Sequence, residues 1–180
     1  MPTLLAAVGA LLLGACGERP PPGKVYAMPQ ARVATVLGKV EVPLWVFGSG
    51  ALDETVDTSD PARIVWTVRD PDRPILRYVA ALHPVDAGST RVAMTLEGAD
   101  PAIARRLDAN PSIRTLYQVA MGERVAATLE RREMDLSKIF LASTAATVAN
   151  ADTLRADLDP DANRRAAEAG RTTARADAEE

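Results

Sequence analysis

The sequence contains few side chains able to do acid–base or nucleophilic chemistry. His83 is the single histidine and Cys16 the single cysteine among 180 residues. Ser49 stands in Phe47-Gly48-Ser49-Gly50, which lacks the G-x-S-x-G frame of a nucleophile elbow, and no pattern places Ser49 near His83. A lone imidazole beside a proline, with no free thiol to activate, is more often structural than catalytic. The inventory favours a binding protein over an enzyme, although it leaves an enzymatic role undecided.

Metal ligands are equally scarce, with one exception near the C-terminus. Five oxygen-bearing residues match positions 1, 3, 5, 7 and 12 of an EF-hand calcium loop: Asp157, Asp159, Asp161, Asn163 and Glu168. Ala162 stands where that loop requires glycine, and Pro160 stiffens its centre. Two adjacent arginines, Arg164 and Arg165, would repel a cation. Acidic tails produce such spacing by chance, so we predict no metal site and no cofactor.

An apolar run over residues 4–13 is followed, three residues after its end, by Cys16. The run is too short to cross a bilayer as a helix, and it has the length of the h-region of a secretory signal. A buried N-terminal helix is the alternative, but no amphipathic period supports it. The last residue of the apolar run begins the sequence Leu13-Gly14-Ala15-Cys16, which resembles the lipobox of bacterial lipoproteins. That resemblance implies a signal peptide over residues 1–15, cleaved before Cys16, and acylation of Cys16.

Lipidation would determine where the protein resides. Each buried acyl methylene contributes about 0.8 kcal/mol, so two or three chains give a lasting membrane anchor. Residues 16–23 would then be a linker, stiffened by Pro20-Pro21-Pro22. Gly17 replaces the aspartate that, by resemblance to enterobacterial lipoproteins, signals inner-membrane retention, which implies the periplasmic face of the outer membrane. A net charge of −3 argues against nucleic acid as a partner.

Strict alternation of apolar residues predicts an antiparallel sheet within a single domain over residues 24–151. Three strands are marked by the apolar sets Ile64, Trp66 and Val68; Leu76, Tyr78, Ala80 and Leu82; and Val92, Met94 and Leu96. The connections over residues 70–74 and 84–89 are rich in turn formers and too short for a parallel crossover, so they predict hairpins. Residues 52–58 predict a fourth strand. Residues 25–28 predict a short one, followed by a helix that ends at Gly38.

Two helix starts follow the predicted sheet. Asp100-Pro101 and Asn110-Pro111 each place a capping side chain before a proline. The second helix has an apolar stripe that should cover the sheet, formed by Ile113, Leu116, Tyr117, Ala120, Met121, Val125 and Leu129. A further helix is predicted over residues 137–151, with the option that it continues the long helix after a break at residues 134–136. Residues 152–180 are too polar to form a core, which predicts a disordered tail.

The order of these elements resembles the START-like, polyketide-cyclase-like helix-grip superfamily. The resemblance is carried by residues 64–69, 77–84, 89–97 and 113–132. It implies an α+β fold in which an antiparallel β-meander packs against a long C-terminal helix. It also implies a cavity between helix and sheet that holds a small hydrophobic molecule.

Two functions remain open at this point. In the first, the protein is a non-enzymatic envelope module whose cavity is lined by Trp66, Tyr78, Leu82, Met94, Tyr117 and Met121. In the second, those residues form a filled core, and the protein binds an envelope partner through Trp45-Val46-Phe47 or the C-terminal helical extension. Apolar residues at this spacing pack in cores far more often than they bind ligands.

Overall fold

Five antiparallel strands form one open sheet in the computed structural model, which describes residues 22–48, 51–71 and 73–151. The strands are β1 (Lys24–Tyr26), β2 (Asp53–Asp60), β3 (Arg63–Asp70), β4 (Arg73–Pro84) and β5 (Thr90–Gly98), arranged in the order β1-β5-β4-β3-β2. The predicted strands are therefore all present, and β2 to β5 form a meander joined by hairpins. Together with the helices, this makes the fold α+β, as predicted.

The register of the central strands builds one buried apolar face. Trp66 on β3 lies opposite Tyr78 on β4, which lies opposite Leu96 on β5. The first strand, β1, pairs with the N-terminal end of β5, where Tyr26 lies opposite Thr90. Both are buried, and the Thr90 hydroxyl donates a hydrogen bond to the carbonyl of Met28 at 2.8 Å.

The outer edge of the sheet, β2, is acidic. Asp53, Asp57 and Asp60 lie along this strand and are exposed. The side chain of Glu54 instead contacts the segment that precedes β2, where its Oε2 accepts a hydrogen bond from the backbone N–H of Val42 at 2.6 Å. Charged residues on an edge strand oppose pairing with another sheet, so this edge is protected against association.

Four α-helices and one 3₁₀ helix complete the described chain. They are α1 (Gln30–Leu37), the 3₁₀ helix (Leu44–Phe47), α2 (Pro101–Ala109), α3 (Pro111–Glu130) and α4 (Leu136–Ala149). Both predicted caps form: the Asp100 carboxylate accepts from the N–H groups of Ala102 and Ile103 at 2.8 and 2.9 Å, and the Asn110 side chain accepts from that of Ile113 at 3.4 Å. No helix in the described ranges is both long and apolar enough to cross a membrane.

The long helix α3 is covered on two sides. Met121, Val125 and Leu129 belong to the core that includes the sheet, whereas Leu116 and Ala120 belong to a second cluster with α4. The prediction that one stripe faces the sheet is therefore only partly right, because the stripe is divided between two neighbours. The option that α4 continues α3 is wrong: the chain reverses after Glu130, and α4 returns along α3 as an outer layer.

Candidate functional site

The six residues predicted to line a ligand cavity lie in or beside the main core. Trp66, Tyr78, Leu82 and Met121 are at most 2% exposed, whereas Met94 and Tyr117 are partly buried. The indole N–H of Trp66 donates a hydrogen bond to the carbonyl of Val40 at 2.8 Å. The hydroxyl of Tyr78 donates to the carbonyl of Tyr117 at 3.3 Å, and burial raises the pKa of this phenol.

Three of the six residues bound a small cleft between β5 and α3. Tyr78, Met94 and Met121 line it together with Thr95 and Gln118. Its volume is about 160 Å³, and it opens to solvent. Pockets for drug-sized ligands usually measure about 300–1,000 Å³. This cleft is smaller than a carrier for such a molecule requires.

The remaining predicted positions do not assemble into a site in the described chain. His83 is exposed on β4, opposite Arg91. Ser49, Cys16 and the calcium-like spacing over residues 157–168 lie outside the described residues. Within the ranges that are described, no three His, Cys, Asp or Glu side chains are placed to hold a metal ion.

Helix α4 presents a broad apolar surface to solvent. Phe140 is 75% exposed, and Leu141 and Val148 are each 71% exposed. Thr144 and Ala145 are also exposed and lie on the same side of the helix. We call these five residues the α4 face. Exposed apolar residues that cluster on one element mark a contact surface more often than scattered ones do.

The polar groups near the α4 face are already paired within the helix. The hydroxyl of Thr144 donates to the carbonyl of Phe140 at 2.9 Å, and that of Thr147 donates to the carbonyl of Ser143 at 3.0 Å. The single charged residue of α4, Lys138, is bound to α3. Desolvating this face therefore leaves no hydroxyl proton without an acceptor, which removes the main cost of covering it.

A carboxylate in α3 anchors the start of α4. The side chain of Glu123 is 4% exposed, and it accepts hydrogen bonds from the guanidinium of Arg132, the N–H of Asp135 at 2.8 Å and the ammonium of Lys138 at 2.9 Å. The hydrogen bond from Arg132 is the main reason that the pKa of Glu123 falls to about 2. Arg131, with φ of 55°, adopts the left-handed conformation that ends α3 and lets the chain reverse.

The other end of α4 is held by two asparagines. The amide of Asn110 donates to Oδ1 of Asn150 at 2.7 Å, and the amide of Asn150 donates to the hydroxyl of Ser112 at 3.2 Å. Between the two ends, Ile139 and Ala146 are buried against α3. The helix is thus fixed along one side and at both ends, while its opposite side stays open.

Sequence reasoning named the C-terminal helix as a possible contact element without identifying its exposed residues. A helix that is apolar on all sides is the signal that could have found them, because only one side can pack on α3. The other predicted contact, the loop at Trp45-Val46-Phe47, forms the 3₁₀ helix. Trp45 is 58% exposed, whereas Phe47 packs on Tyr117 with 4.4 Å between ring centroids.

Comparison with known proteins adds little. No family model matches the chain, and no curated protein matches it. Among solved structures, the chain is similar to a protein from Thermobifida fusca determined by solution NMR in a structural genomics programme, with 22% identity over 62% of this chain and 95% of that one. The TM-score is 0.30, which is too low to establish a shared fold.

Proposed function

We propose that this is a lipid-anchored protein on the periplasmic face of the outer membrane, where it acts by pairing with a second copy of itself through the α4 face. The observation that carries the proposal is the exposure of Phe140, Leu141 and Val148 on a helix fixed firmly to the rest of the fold. The anchor is supported by the apolar run and Cys16. In this function the protein is a structural or interaction component and not an enzyme.

Charge and symmetry favour a second copy as the partner. The α4 face carries no charge, so it suits a surface that is also apolar and uncharged. Another copy of this chain presents such a surface, and a two-fold axis would place the two faces against each other. The acidic strand β2 opposes association through its edge of the sheet, which leaves α4 as the favoured contact.

The size of the face predicts weak pairing. Helix α4 has 14 residues, which corresponds to about 21 Å at 1.5 Å per residue. One face of such a helix buries less than the roughly 800 Å² per partner of a standard stable interface. Tethering both copies to one membrane raises their effective concentration and offsets the small contact area.

The alternative function, binding of a hydrophobic molecule in a cavity enclosed by the six predicted residues, has less support. The helix-grip resemblance implies a cavity among the six core residues, yet four of them are almost wholly buried by other side chains. The cleft that three of them border holds about 160 Å³. This geometry suits a filled core, with binding to a partner at the outer surface of the protein.

Sedimentation velocity of residues 17–180 tests the proposed pairing. We expect a monomer–dimer equilibrium that shifts toward dimer as protein concentration rises. Leu141→Ser should shift the equilibrium toward monomer, whereas Val85→Ser, at an exposed apolar site in the turn after β4, should leave it unchanged. A chain that stays monomeric at every concentration would overturn the proposal. Binding to lipid vesicles without dimer formation would assign the face to the membrane instead.

A further inference from the structure

A second cleft lies where the start of β4 meets α2 and α3. Its volume is about 320 Å³, twice that of the cleft beside Met94. Its apolar walls include Ile75 from β4, Ile103 from α2, and Ile113 and Tyr117 from α3. We call this space the α2 cleft. No residue of α4 borders it, so it is separate from the proposed pairing surface.

The walls of the α2 cleft are apolar but only partly covered. Ile75, Ile103 and Ile113 are each half-buried, and they converge from three different elements. Apolar surface left facing water is unfavourable by about 25 cal/mol per Å². The cleft is a groove that is more open to solvent than the cleft beside Met94, and its volume lies at the lower end of the range for small-molecule pockets, about 300–1,000 Å³. The cleft can therefore take a ligand with a short chain or a small ring system.

The rim of the cleft is positively charged. Arg73, the first residue of β4, and Arg106, in the last turn of α2, both border the cleft and are exposed. Among the ion pairs formed by the described residues, neither arginine takes part. Asp108 pairs with Arg114 instead.

Two carboxylates lie near Arg73: Asp70, which is opposite it in the β3–β4 register, and Asp100, which caps α2. Asp100 does so by accepting from two backbone N–H groups, those of Ala102 and Ile103. These hydrogen bonds, and the nearby charge of Arg73, lower the pKa of Asp100. Within the described residues neither Asp70 nor Asp100 forms an ion pair with Arg73 or Arg106, so the rim retains donors for an external anion.

We propose that the α2 cleft binds a single-chain anionic amphiphile, with its apolar chain between the three isoleucines and its carboxylate at Arg73 and Arg106. A neutral molecule would gain only the apolar contact, and a cationic one would be repelled by the rim. The selectivity for a negative head group follows from the charges, and the selectivity for a short chain follows from the volume.

Methyl NMR of residues 17–180, which include every core residue of the described ranges, tests this binding directly. Decanoate, used below its micelle concentration, should shift the methyl signals of Ile75, Ile103 and Ile113. Decanol should bind more weakly. Replacing both rim arginines, Arg73→Gln with Arg106→Gln, should weaken decanoate binding by about tenfold, because both charges that attract the carboxylate are removed.

Two matched variants make the result decisive. Arg77→Gln, at an exposed position on the same strand as Arg73 that does not border the cleft, should leave decanoate binding unchanged. Ile103→Glu should abolish binding by placing a negative charge inside the cleft, with circular dichroism confirming that the variant folds. Equal affinity for decanoate and decanol, or shifts confined to other isoleucines, would overturn the proposal. Either outcome leaves self-association through α4 unaffected, since that is measured without ligand.

Discussion

Oε2 of Glu123, in the middle of α3, lies 2.9 Å from the ammonium nitrogen of Lys138 in the first turn of α4. This contact ties the outer helix α4 to the layer beneath it. The side chain of Glu123 is almost fully buried, and it accepts two further hydrogen bonds from the connection between the helices. The position of α4, and hence of its exposed face, depends on this carboxylate.

Glu123→Gln should lower the free energy of unfolding at pH 7 by about 2–3 kcal/mol, because the buried charge loses its charge-assisted hydrogen bonds. Urea denaturation followed by circular dichroism measures the change. Glu133→Gln, at an exposed neighbour, is the control and should change stability by no more than about 0.5 kcal/mol. Equal effects from the two substitutions would show that Glu123 does not anchor α4.

The same carboxylate predicts a dependence on pH. The pKa of Glu123 is about 2 in the folded protein, against an ordinary value of 4.5. A lowered pKa means that the stabilisation is fully present above pH 4.5 and is lost as the pH falls toward 2. The stability difference between wild type and Glu123→Gln should therefore shrink over this interval. A difference that stays constant would assign the stabilisation to something other than the ionised carboxylate.

Truncation of buried and exposed side chains distinguishes the packed core from the open face. Met121→Ala should lower the free energy of unfolding by about 2–5 kcal/mol, because Met121 is fully buried. Leu141→Ala should change it by no more than about 0.5 kcal/mol when measured on dilute monomer, because Leu141 is 71% exposed. Thermal or urea unfolding gives both values. A loss below about 1 kcal/mol for Met121→Ala would contradict a filled interior.

Two glycines should respond to alanine with opposite signs. Gly122 lies inside α3, and a methyl group there would meet no atom within 4 Å, so Gly122→Ala should raise the free energy of unfolding by about 0.5–1 kcal/mol. At Gly98, where β5 approaches α2, the methyl group would lie 2.3 Å from the backbone nitrogen of Ala104. Gly98→Ala should therefore destabilise by about 1–3 kcal/mol. Changes of the same sign would contradict this packing.

Features set by local chemistry could be predicted from the sequence. The caps at Asp100 and Asn110 depend on a side chain and the backbone of the next turn, and both form as expected. The strands β3 to β5 follow from alternation of apolar residues, since a half-buried strand repeats every second residue. The hairpins between them follow from short connections.

Features set by distant contacts could not be predicted in the same way. The apolar stripe on α3 is divided between the sheet and α4. The spacing of apolar residues along a helix does not show whether they pack against one neighbouring element or two. The pairing of Tyr26 with Thr90 joins strands far apart along the chain. Glu123 stands between the buried Met121 and Val125, and only the fold brings Arg132 and Lys138 to it.

Cys16→Ser tests the membrane anchor. The acyl chains are the proposed source of membrane association, so the variant should leave the membrane fraction while residues 17–180 keep their circular dichroism spectrum. Fractionation after expression in a Gram-negative host, with a high-salt wash, provides the measurement. If the variant still sediments with membranes, or if the wild type is soluble and uncleaved, the lipoprotein assignment is wrong.

Cross-linking in intact membranes tests the central claim most directly. Thr144 lies between Leu141 and Val148 on the α4 face, near the middle of the helix, where a two-fold axis would bring the same residue of both copies together. With Cys16 acylated, Thr144→Cys provides a reactive thiol, and Val85→Cys provides a matched exposed control. The account predicts a disulfide-linked dimer on mild oxidation of Thr144→Cys and far less for the control. No dimer, or equal dimer from both variants, would contradict self-association through α4.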